Sequence, residues 1–151
     1  MINIADYIDP NLIIFLDAEN RDEALKALVD SVFASKKINS KENFLNAIIS
    51  REDLVSTGIG MGVAIPHSKL STCDDFFIAI GLLKKGVDWN SLDGGSVRII
   101  FLIGGPDDKQ TEYLQILSAL TVAIKDEERR KKILTLNSQE AIMKLFKVEV
   151  K

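Results

Sequence analysis

The chain holds one histidine, His67, so any imidazole chemistry must be done there. Neutral imidazole is a competent nucleophile near pH 7, because its pKa lies within the physiological range. Just upstream runs Ser56-Thr57-Gly58-Ile59-Gly60-Met61-Gly62-Val63-Ala64-Ile65-Pro66, and Arg51 precedes that stretch. Three glycines alternating with other residues call for positive φ or close backbone approach. A nucleophilic nitrogen near backbone N–H groups, two hydroxyls and a guanidinium could hold an anion or a phosphoryl group. A lone histidine that merely packs is the competing reading, and residue chemistry alone does not separate the two.

Other constellations fail on spacing. A phosphate-binding loop needs Gly, four residues, then Gly-Lys-Ser/Thr, but counting from Gly58 reaches Val63, and Lys69 lies too far on. The dinucleotide fingerprint breaks at the same residue: Gly58 and Gly60 fit, and Val63 stands where the third glycine belongs. Cys73 has no hydrolase signature around it and reads as a small packed thiol. Asp74-Asp75 and Asp107-Asp108 are adjacent acids whose side chains alternate in direction, as in turns and helix starts. One histidine and one cysteine exclude a zinc site built from such side chains alone. No metal and no other cofactor is expected.

The elements that must position His67 follow from periodicity. Asn11 to Leu16 is a short apolar run ending at a polar break, read as a strand. Asn20 with Glu23 opens a helix over about Arg21 to Ser35, and Ser40 caps a second that fades near Arg51 to Leu54. Val63 to Ile65 reads as a strand that ends at Pro66 or lies at an edge, with His67 projecting just past it. Phe76 to Leu83 and Val97 to Gly104 are near-continuous apolar runs, hence strands buried on both faces. Gly104-Gly105-Pro106 turns into a helix over about Lys109 to Lys125, and Asn137 with Glu140 opens a last one. The expected fold is one α/β domain, with a mixed central sheet and helices on both faces.

Composition sets the outer limits. The 151 residues suit one domain, with 46% hydrophobic and 27% charged residues. Nineteen bases against 22 acids give a net charge of −3, with no electrostatic reason to bind nucleic acid or an anionic membrane. No apolar run approaches the ~20 residues a membrane helix needs, so no membrane insertion is expected. MINIADYID carries early acids and no basic leader, and the lone cysteine suits a reducing compartment; a cytoplasmic location is expected.

Arg51-Glu52, Ser56-Thr57-Gly58-Ile59-Gly60 and Gly62-Val63-Ala64-Ile65-Pro66-His67 together resemble the signature of a known family. It is that of the enzyme IIA domains of fructose–mannitol type, in the bacterial phosphoenolpyruvate-dependent phosphotransferase system. The resemblance extends over nearly the whole chain, so residues 1–151 read as one such domain, of a length that suits a free-standing protein. It implies that His67 accepts a phosphoryl group from the small phosphocarrier HPr. Arg51 would pair with the phosphoryl oxygens, and Thr57 and Gly58 would add a hydroxyl and a backbone donor. The family commonly has a second histidine in a Glu-His-Leu context, where this chain has Glu112-Tyr113-Leu114. A tyrosine there can donate a hydrogen bond but is a poor proton shuttle at neutral pH; its competing role is core packing.

Two functions are compatible with that resemblance. In a regulatory branch related to nitrogen control, the phosphorylation state of His67 switches contacts with partner proteins. In a sugar pathway, His67 passes its phosphoryl group to a cysteine of an EIIB domain. The Tyr113 replacement and the single-domain length favour the regulatory reading.

Overall fold

The two longest apolar runs form the centre of the sheet, because only a doubly covered position hides side chains that point both ways. In the computed structural model, which describes residues 2–147, these are β5 (Phe77–Val87) and β6 (Val97–Gly105). They pair antiparallel, with Phe77 opposite Gly104 and Ile80 opposite Phe101. β1 (Ile8–Leu16) runs parallel to β5 on the outer side. It starts earlier than the apolar run suggests, and its register shifts between Ile8 and Ile13, around Pro10, which has no N–H to give.

On the other side of β6 lie β3 (Val63–Ala64) and β4 (His67–Lys69), both parallel to β6, with β2 (Gly58–Gly60) antiparallel to β3 at the edge. His67 lies past the end of β3, as expected, but it opens a further strand instead of entering a loop. The chain breaks pairing at Ile65-Pro66 and resumes it at once, with His67 opposite Ile103. Pro66 cannot donate, but its carbonyl accepts the Ile103 N–H at 2.9 Å, which keeps the two short strands in line.

Helices cover both faces. α1 (Arg21–Ala34) and α2 (Lys41–Leu54) start at Asn20 and Ser40, whose side chains accept from the Glu23 and Asn43 amides. They bury Leu25, Leu28, Phe44 and Ile48 against Phe77, Ala79, Ile100 and Leu102. The alternate residues, Ile78, Ile80, Phe101 and Ile103, face α3 (Gln110–Lys125), α4 (Glu127–Thr135) and α5 (Gln139–Lys144). α4 departs from expectation: six of its nine residues are charged and it buries only Ile133, so no apolar stripe announces it. α5 opens at Ser138 rather than Asn137, and Leu145 and Phe146 lie beyond its end.

Candidate functional site

The site is built where β3 gives way to β4. His67 Nδ1 lies 3.2 Å from the Ile65 carbonyl oxygen. A carbonyl can only accept, so Nδ1 carries the proton and the neutral ring keeps its lone pair on Nε2. Nε2 has no hydrogen-bond partner among the described residues. Burial, the largest cause, holds the pKa of His67 below the ordinary histidine value, and the charges of Arg51 and Lys69 push the same way. The Ile65 carbonyl and Glu52 act against them. The balance favours the neutral imidazole.

Behind the ring a chain of bonds reaches a buried carboxylate. Ile65 N–H donates to the Thr57 carbonyl at 3.1 Å. Thr57 N–H donates to Glu52 Oε2 at 2.9 Å, and its hydroxyl donates to Glu52 Oε1 in a short bond. Glu52 and Thr57 are 3% and 7% exposed, so this is an interior anchor. Glu52 holds Thr57, Thr57 holds the Ile65 peptide, and Ile65 sets the tautomer of His67. Nothing in the sequence marks Glu52 as its neighbour Arg51 is marked. A helix-end acid reads as solvated until the chain folds back onto it.

Each residue singled out in sequence lies in this region, in different states of engagement. Arg51, at the end of α2, spends Nη1 on the Val55 carbonyl at 2.9 Å and is in no ion pair among the described residues. Its charge is felt by both His67 and Tyr113. Thr57 already gives its hydroxyl proton to Glu52, and Gly58 N–H donates to Ser56 Oγ at 3.0 Å. Tyr113 packs in the core and also lies beside His67. It is 6% exposed on the inner stripe of α3, and its ring lies 5.7 Å from that of His67 and 6.3 Å from that of Phe76. Burial raises its hydroxyl pKa, with Arg51 acting the other way, so at neutral pH it is a donor.

The alternating glycines have distinct tasks. Met61 and Gly62, at φ 62° and 76°, form the two-residue connection between β2 and β3, the positive-φ turn that matches strand twist. Gly58 is needed for space: a Cβ there would strike Ser91 Oγ and come within 3.0 Å of Ser91 Cα. Cys73 is buried and the acid pairs stay in loops; no cluster that could hold a metal exists among the described residues.

A family model described as phosphoenolpyruvate-dependent sugar phosphotransferase system, EIIA 2, matches residues 6–148. The fructose-specific EIIABC component of Bacillus subtilis is 33% identical over 131 residues, which cover 87% of this chain and 21% of that protein. This chain thus spans about a fifth of the length of such multi-component relatives. A nitrogen regulatory protein of Bradyrhizobium diazoefficiens is 29% identical over 140 residues, covering 92% of this chain and 91% of that one. The crystal structure of the nitrogen regulatory protein IIA-Ntr of Neisseria meningitidis superposes with a TM-score of 0.86 at 25% identity, covering 95% and 98% of the two chains. With the sheet order and the His67 segment already in place, a match over nearly the full length leaves one conclusion: this chain belongs to the EIIA 2 family of the phosphoenolpyruvate-dependent sugar phosphotransferase system.

Proposed function

We propose that His67 accepts a phosphoryl group on Nε2 from an HPr-type phosphocarrier, and that its phosphorylation state regulates partner proteins. The observation that carries this reading is the Nδ1–Ile65 bond, which leaves the Nε2 lone pair free in a ring that burial keeps neutral. In the transfer, that lone pair forms a bond to phosphorus. The donor's P–N bond breaks, and its electron pair leaves with the donor imidazole. The proton on Nδ1 stays, and the Ile65 carbonyl stabilises the positive charge that the ring acquires. Arg51 pairs with phosphoryl oxygens. Thr57 and Gly58 reach those oxygens as donors only by giving up Glu52 and Ser56. Phosphohistidine is already activated, so positioning and charge do most of the work.

Relatives of both kinds support the family's two uses. The match to a nitrogen regulatory protein supports regulation. The fructose-specific relative favours the second reading, in which an EIIB cysteine takes the phosphoryl group during sugar uptake.

The test combines the protein with enzyme I, HPr and phosphoenolpyruvate. Intact mass should show one acid-labile, base-stable phosphate, absent in His67→Ala. A label that persists in His67→Ala would overturn the assignment. Chasing the label with EIIB domains of the same organism then separates the uses: transfer to one of them establishes the sugar route, and retention with all of them leaves regulation.

A further inference from the structure

Lys69 follows His67 by two residues on β4, so the pleat sets both side chains on one face and Ser68 on the other. Burial agrees: Ser68 is 9% exposed, while His67 and Lys69 are half-buried. Both reach the same aromatic ring. Lys69 Nζ stands 4.3 Å from the Tyr113 centroid, and the His67 ring is 5.7 Å from it. Nζ also donates to Gln110 Oε1 at 2.5 Å.

Neither partner carries charge. Lys69, like Arg51, is in no ion pair among the described residues, in a chain with more acids than bases. Two acids of this region are engaged elsewhere. Glu112, on the first turn of α3, takes the Tyr7 hydroxyl at 2.8 Å, and both oxygens of Glu52 are held by Thr57. A half-buried ammonium resting on a ring face and a neutral amide is held weakly and can exchange both for an anion. The charges of Lys69 and Arg51 both act on the His67 ring. Two cations that form no ion pair among the described residues therefore act on the ring that carries the nucleophilic nitrogen.

We propose that Lys69 is a phosphoryl-binding residue: when His67 carries phosphate, the Lys69 ammonium leaves the Tyr113 face and the Gln110 amide and donates to a phosphoryl oxygen. This rests on the reading of His67 as the acceptor. Gln110 is the first residue of α3, so the exchange also frees a surface side chain beside the site. The state of His67 is thereby displayed at the start of a helix, where a partner can read it.

The experiment charges the folded protein with phosphoramidate, a small phosphoryl donor to histidine, and follows it by phosphorus-31 and nitrogen-15 NMR. In the wild type the Gln110 side-chain amide should shift on phosphorylation. In Lys69→Gln the acid constant of the phosphoryl group should weaken by about tenfold, as one close cation is lost, and Lys69→Arg should restore it. An unchanged titration in Lys69→Gln, with Arg51→Gln shifting it, overturns the role of Lys69 and leaves the acceptor intact. If His67 takes no phosphate from phosphoramidate or from HPr, the acceptor reading and the role of Lys69 fall together.

Discussion

The lone pair on His67 Nε2 is useful only while the ring is neutral, so acceptance should track deprotonation of that ring. Its pKa is depressed by burial first and by Arg51 and Lys69 after it. Phosphoryl acceptance should therefore stay level through pH 7 and fall only below the ordinary histidine value, as the ring protonates. A rate measured against pH, normalised to donor, checks this, and a loss already complete at pH 7 would contradict it. Glu52 gives a sharper test. Its charge favours protonated His67, and its two bonds to Thr57 hold the residue whose carbonyl takes the Ile65 N–H. Glu52→Gln should lower the NMR midpoint of His67 and slow acceptance by roughly tenfold, the scale of one misplaced hydrogen bond at a reacting group. Lost stability with an unmoved midpoint would make Glu52 merely structural. His67 and Arg51 stand out in sequence, the first as the sole histidine and the second by its place ahead of the glycine-rich run. Glu52 and Lys69 do not, because isolated acids and lysines are the commonest surface residues. Only the return of residues 56–57 onto α2, and the pleat of β4, give these two a role.

Elements set how firmly this constellation is held. The segment from Gly58 to Lys69 contains three short strands, and none could stand alone. Its stability comes from pairing with β6 and from the loop after β5, whose Leu92 N–H donates to the Gly58 carbonyl at 3.0 Å while the Ser56 hydroxyl donates to the Trp89 carbonyl at 2.6 Å. Gly58→Ala drives a methyl group into Ser91, whose backbone cannot step aside without breaking that contact. The substitution should cost about 1–3 kcal/mol, the range for an overpacked site, and slow phosphorylation with it. Chemical denaturation measures the first, the HPr assay the second, and an unchanged midpoint would show that the loop yields freely. Strand continuity explains why the reading from sequence stopped one element short. Pro66 forbids a donor at its own position but leaves its carbonyl free, so the ladder skips one residue and continues through His67. The helix α4 escaped for a different reason. Asp126 with Glu127 and Glu128 is a proper start signal, yet the stretch buries one side chain and its period cannot be seen.

At the scale of the molecule, both faces of one sheet are load surfaces. Phe77, Ala79, Ile100 and Leu102 pack under α1 and α2, and their alternate neighbours Ile78, Ile80 and Phe101 pack under α3 to α5. Neither core can open without stripping β5 and β6, which belong to both. Unfolding should then be a single cooperative step, as in most domains of this size. Phe101, 1% exposed and edge-on to Phe146 at 5.9 Å, tests that coupling from one face. Phe101→Ala should cost about 3–5 kcal/mol, which lowers the melting temperature of such a domain by roughly 10 °C. Cys73 reports from the opposite face. It is 4% exposed in the core beneath α1 and α2, and burial pushes its thiol pKa up, so labelling must wait for opening. If the two cores unfold together, Phe101→Ala should speed Cys73 labelling by the factor its lost stability predicts, although the two residues lie in different cores. Labelling that ignores Phe101→Ala would mean that the α1–α2 side opens by itself. The proposed switch at His67 would then have a second, softer layer to act on.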